Sequence, residues 1–111
     1  MAEIEFRHVQ GLRQNGTLWH GLDVLLDGEP LDRSFLTYRE LRHIEADPSA
    51  LRIGIVKRYG RDGFTHKVVQ LMLGGLAIGT QLKLSDVEKA DVEEVLAEQP
   101  VWRMAEDKEN R

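Results

Sequence analysis

Leu51-Arg52-Ile53-Gly54-Ile55-Val56-Lys57-Arg58-Tyr59-Gly60-Arg61-Asp62-Gly63-Phe64-Thr65-His66-Lys67-Val68-Val69-Gln70-Leu71-Met72-Leu73 supports two incompatible architectures. On a helix, Leu51, Ile55 and Tyr59 fall on one face with Val56 beside them, and Asp47-Pro48 supplies an N-cap with proline at the first helical position. As a strand, Ile53, Ile55 and Lys57 share a face, and Asp62-Gly63 turns the chain into a hairpin. The spacing satisfies both. We adopt the helical reading for residues 49–59 and for 65–73.

Upstream the signals are those of strands. Glu3-Ile4-Glu5-Phe6-Arg7 alternates with period two. Asn15-Gly16 marks a tight turn, since both residues tolerate positive φ. Residues 17–26 follow as a strand, Asp27-Gly28-Glu29-Pro30 turns again, and 31–35 returns as a third short strand. Leu36-Thr37-Tyr38-Arg39-Glu40-Leu41 then holds a capping box, Thr37 as N-cap and Glu40 three residues on, and predicts a helix to about Glu45. Ser85-Asp86-Val87-Glu88 is a second capping box. Its helix carries Val87, Val92, Val95 and Leu96 as an apolar stripe and ends before Pro100. No long internal repeat is evident. The expected fold is α+β: an N-terminal antiparallel β-meander or hairpin packed against three to four short C-terminal helices. Residues 1–104 form one domain, and 105–111 read as a polar, disordered tail.

At 111 residues there is room for a single core. The absence of cysteine excludes disulfides, thiolate metal sites and cysteine nucleophiles. A formal net charge of −4 argues against a surface built throughout for nucleic acid. The charge is uneven, however: residues 52–67 hold five bases (Arg52, Lys57, Arg58, Arg61 and Lys67) against one acid, whereas 85–111 hold nine acids and four bases. His8, His20, His43 and His66 show no metal-ligand spacing, and none of the three serines sits in a nucleophile frame. Gly74-Gly75 and Gly79 lack the lysine of a phosphate-binding loop. The chain therefore reads as no enzyme, with no cofactor and no metal. Met1–Arg7 has no basic-then-apolar leader pattern, and residues 68–82 are too short and too polar to span a bilayer, so a cytoplasmic location with no membrane partner is expected.

The order of features (a β-rich start, the capped Leu36–Leu41 segment, a leucine-rich middle, then Leu84-Ser85-Asp86-Val87-Glu88-Lys89-Ala90-Asp91-Val92) resembles the small tail assembly chaperones of long-tailed, Mu-like bacteriophages. The likeness covers roughly residues 22–97. It implies a non-catalytic accessory protein of the infected host's cytoplasm that covers the helical tape-measure protein by protein–protein contact, with homo-oligomers as a further option. Apolar side chains on the later helices would then grip the partner: Leu71, Leu73, Leu76, Val92, Val95 and Leu96. Two other classes stand beside this reading. One is a small inhibitor or adaptor of a host machine, of the anti-defence type. The other is a nucleic-acid-binding module using residues 52–67, where Tyr59 and Phe64 interleave with the basic patch. It ranks third because no helix-turn-helix, zinc-finger, RNP or KH signature frames the segment.

Overall fold

Asn15-Gly16 and Asp62-Gly63 close loops of the same build. The Arg13 N–H donates to the Thr17 carbonyl (2.8 Å) and the Gly16 N–H to the Arg13 carbonyl (2.9 Å); likewise Gly60 donates to Phe64 (2.8 Å) and Gly63 to Gly60 (3.1 Å). Each loop ends on a glycine at positive φ, +87° for Gly16 and +85° for Gly63, as a three-residue hairpin loop requires. A computed structural model describes residues 1–105 and shows what these loops join. The elements are β1 (Glu3–Leu12), β2 (Leu18–Leu26), β3 (Glu29–Leu36), α1 (Tyr38–Ala46), β4 (Leu51–Tyr59), β5 (Thr65–Leu73), β6 (Leu76–Leu82), α2 (Asp86–Ala97) and β7 (Val101–Met104). Strands make up 53% of the described residues and helices 23%, in two sheets of order β3-β2-β1-β7 and β4-β5-β6.

The expected N-terminal hairpin on three to four helices is therefore corrected. There are two helices among the described residues, and the segments 49–59 and 65–73 form a second hairpin. Pro48–Ala50 makes one 3-10 turn before Leu51 opens a strand. In β4, Leu51 and Ile53 are buried and Arg52 is exposed, so the period is two. In β5, Val68, Val69, Gln70 and Leu71 are all buried, because this central strand is covered on both faces and loses the alternation that would have betrayed it. Gly74 and Gly75, both at positive φ, then make a two-residue turn, as Asp27 and Gly28 do between β2 and β3.

The chain is thus two copies of one unit. Leu12↔Leu18 and Ile4↔Leu26 in the first hairpin correspond to Tyr59↔Thr65 and Leu51↔Leu73 in the second, each 47 residues on. A third strand and a capped helix follow in both, and both capping boxes are closed, Thr37 with Glu40 and Ser85 with Glu88. The units meet through their equivalent third strands. Ser34 Oγ donates to the Thr80 carbonyl at 2.7 Å, and the Lys83 N–H donates to Asp32 at 2.7 Å, so β3 and β6 lie antiparallel. Ile4, Phe6, Leu22 and Val24 from one sheet and Leu51, Ile53, Val69, Leu71 and Leu82 from the other share one core, sealed by Ile44 of α1 and Val92 of α2. Each such side chain contributes roughly 1.5–3 kcal/mol on burial.

After α2 the chain returns, and β7 pairs in parallel with β1, Ile4 opposite Trp102. The Ala105 N–H still donates to the Phe6 carbonyl at 2.9 Å, so the first residue of the expected tail is tied to the sheet. The remainder of that tail, 106–111, lies outside the described residues. No helix among the described residues is long and apolar enough to cross a membrane.

Candidate functional site

Both hairpins run past the core as arms, and the arms differ in chemistry. In the second, burial stops at Val68, and every residue from Lys57 to Lys67 is exposed except Gly60. Lys57 stands opposite Lys67, Arg58 opposite His66 and Tyr59 opposite Thr65. Four of the five expected basic-patch residues (Lys57, Arg58, Arg61 and Lys67) therefore gather on one arm, with Tyr59 and Phe64 79% and 69% exposed among them. Arg52 does not join them. Its guanidinium donates to the Ser49 and Leu51 carbonyls at 2.9 and 2.7 Å and lies 5.0 Å from the Trp102 ring, at the other end of β4.

Local contacts set the arm's electrostatics. Arg58 Nη2 donates to Gln70 Oε1 at 2.9 Å, and the buried Gln70 is anchored in turn by its Nε2 donating to the Gly79 carbonyl at 3.2 Å. Asp62, the one acid on the arm, accepts from the Phe64 N–H at 3.0 Å and lies 2.9 Å from His66 Nε2. The Phe64 N–H, and after it His66, hold its carboxyl below the ordinary aspartate value. Lys67 Nζ sits 3.5 Å from Glu93 of α2.

The first arm is apolar and aromatic where the second is basic. Leu12 and Leu18, opposite one another, are 70% and 51% exposed. Below them a cleft of about 500 Å³ opens between the arm and α1, lined by His8, Gln10, His20, Tyr38, Arg42 and Glu45 among others. His8 and His20, scattered in the sequence, are stacked with ring centroids 5.6 Å apart, and His8 Nε2 lies 3.5 Å from His20 Nδ1. Arg42 donates to the Tyr38 hydroxyl at 3.1 Å, its guanidinium 5.8 Å from the Tyr38 ring. On the opposite face Trp19 lies half-buried across Gly11, edge-on to Phe35 at 5.6 Å, with the Arg33 guanidinium 5.2 Å from its ring. A side chain at position 11 would run into the indole.

A second cleft, of about 450 Å³, separates β7 from the start of β4; Phe6, Leu51, Arg52 and Trp102 line it. Trp102 stacks on Phe6 at 6.1 Å. Among the described residues no group of three or more histidines and carboxylates has metal-binding geometry.

The apolar residues expected to grip a partner are dispersed. Leu71, Leu73 and Leu76 stand on strands β5 and β6, not on helices. Leu71 and Val92 are buried in the core, while Leu73, Val95 and Leu96 are half-buried against it. Leu76, at the β5–β6 turn, is 72% exposed. Neither arm is legible as such from residue periodicity. The signal lay in turn spacing: Asn15-Gly16 precedes Asp27-Gly28 by the same interval as Asp62-Gly63 precedes Gly74-Gly75. No family model matches the chain, and neither does a curated protein or a solved structure.

Proposed function

We propose that this chain is a non-catalytic accessory protein that acts by contact with a partner protein, and that the partner docks at the first arm. The observation that carries the reading is the make-up of that surface. Leu12, Leu18 and Tyr38 stay in water around a cleft that also offers Arg42, with Trp19 and Phe35 on the reverse face. Tyrosine, tryptophan and arginine are the residues that dominate binding hot spots, and apolar side chains clustered in water mark contact surfaces. An amphipathic helix fits such a cleft, its apolar face on Leu12 and Leu18 and its polar flank on Arg42 and Glu45. This agrees with the resemblance to tail assembly chaperones, whose partner is helical. The grip passes, however, from the helices to a hairpin, because Leu71 and Val92 have no free surface to offer.

Affinity capture from infected-cell lysate tests the reading, using wild type, Leu18→Asp and, on the other arm, Arg61→Ala. A tail protein retained by wild type and Arg61→Ala but lost by Leu18→Asp is the expected result. Retention that ignores Leu18→Asp would remove the first arm as the site. A host enzyme as the sole specific partner would favour the inhibitor reading instead.

A further inference from the structure

We propose that the second arm, Lys57 to Lys67, is a docking surface for single-stranded nucleic acid, a function beyond the protein contact assigned to the first arm. The two faces of the arm are equipped alike. Cross-strand register puts Tyr59 on one face with Lys57 and Lys67, and Arg58 on the other with His66, where the hydrogen-bonded Gly60–Phe64 pair adds the Phe64 ring. Each face thus offers an exposed aromatic ring beside a fixed cation, Lys57 and Lys67 with Tyr59 and Arg58 with Phe64, the combination that stacks a base while it neutralises the adjoining phosphate. Arg61 extends the charge over the tip. Arg58 is pre-set, because Gln70 holds one guanidinium nitrogen and leaves the other donors free for phosphate oxygens.

Other occupants use less of this surface. An acidic protein patch would engage the cations and leave Tyr59 and Phe64 in water. A duplex keeps its base faces stacked inside, out of reach of either ring. Its stiff, doubly charged backbone would also run against Glu93 of α2, which lies beside Lys67. A flexible single strand can wrap the tip, present its bases to both rings and keep clear of the acidic helix.

Fluorescence anisotropy of the full chain with a labelled oligothymidylate of about twenty nucleotides, and with its duplex, tests this. Binding of the single strand should exceed that of the duplex and fall about fifty-fold between about 50 and 200 mM salt, as four phosphate contacts predict. Tyr59→Ala and Phe64→Leu should each weaken it about tenfold, since base–aromatic stacking is lost while the core is untouched. Arg58→Ala with Arg61→Ala should make the slope of log K against log salt shallower by roughly 1.4. Equal or tighter binding of the duplex overturns the single-strand assignment. Affinity for polyglutamate equal to that for the oligonucleotide, and unmoved by Tyr59→Ala, assigns the arm to an acidic protein instead. No salt-sensitive binding near 50 mM overturns the proposal, and unchanged melting temperatures confirm that each variant folds.

Discussion

Glu40 of α1 ties the two halves of the molecule together through Gly79 of β6. Its Oε1 accepts the Thr37 N–H at 2.8 Å and closes the capping box, while its Oε2 accepts the Gly79 N–H at 2.9 Å. Glu88, its counterpart in the second unit, closes a capping box on Ser85 by the same geometry. Burial alone would raise the Glu40 carboxyl. The N–H groups of Gly79 and Thr37, with the Thr37 hydroxyl, outweigh it and hold the group below its ordinary value.

Glu40→Gln should accordingly destabilise the fold more than Glu88→Gln. An amide nitrogen facing Gly79 cannot accept, so a backbone N–H loses its partner at a cost of about 1–2 kcal/mol. Glu88→Gln disturbs only a cap, worth about 0.5 kcal/mol. Because the Glu40 carboxyl titrates lower in the folded chain than in the unfolded one, its contribution is complete above about pH 4.3 and disappears as pH falls through the folded value. Denaturant titrations at neutral pH and at pH 3 should therefore show wild type and Glu40→Gln converging in acid.

Gly79→Ala should be among the costliest single-methyl additions. The residue sits at φ +69°, and a Cβ there would collide with Ser34 Oγ and lie 3.2 Å from the Phe35 carbonyl. Backbone strain of about 1–2 kcal/mol adds to the clash where the units join. Thermal melts should show a fall of roughly 10 °C or more.

Asp62→Asn should leave the second arm's loop intact. Asn15 already does this work in the first loop, accepting the Thr17 N–H at 3.0 Å as Asp62 accepts that of Phe64. Melting temperature at pH 7 should not move. Since the Asp62 carboxyl is depressed in the folded state, wild type loses that stabilisation as pH falls through the folded value, and the asparagine variant should lack this acid-dependent loss.

Leu71→Ala should act on stability before it acts on any partner. The side chain is fully buried, so its loss leaves a cavity and costs about 3 kcal/mol, or roughly 15 °C in melting temperature. Any binding lost should return in stabilising co-solvent, whereas a binding defect in Leu18→Asp should not.

How far the fold could be read in advance depended on where its information sits. Both capping boxes and the Asn15-Gly16 turn are local devices, and each is found where the residues place it. The stretch from Leu51 to Leu73 is ambiguous by pattern because Leu51, Ile55 and Tyr59 fit a period of 3.6 as well as Ile53 and Ile55 fit a period of 2. Gly54 and the β-branched Ile53, Ile55 and Val56 favoured the strand, but that preference is weak beside packing. For the arms, composition was visible in the basic run, and arrangement was not. Register alone brings Lys57 across from Lys67, stacks His8 on His20 and sends Arg52 to another cleft.

By itself the sequence determined the turns, the caps and the uneven charge, since these depend on a few neighbouring residues and on backbone sterics. Tertiary structure alone decided that β5 is a covered central strand and that Glu40 meets Gly79, and it turned a bare coincidence of turn spacing into a repeat of the first half by the second. Such outcomes depend on which surfaces find each other across dozens of residues, and burial on both faces erases the pattern that would announce them.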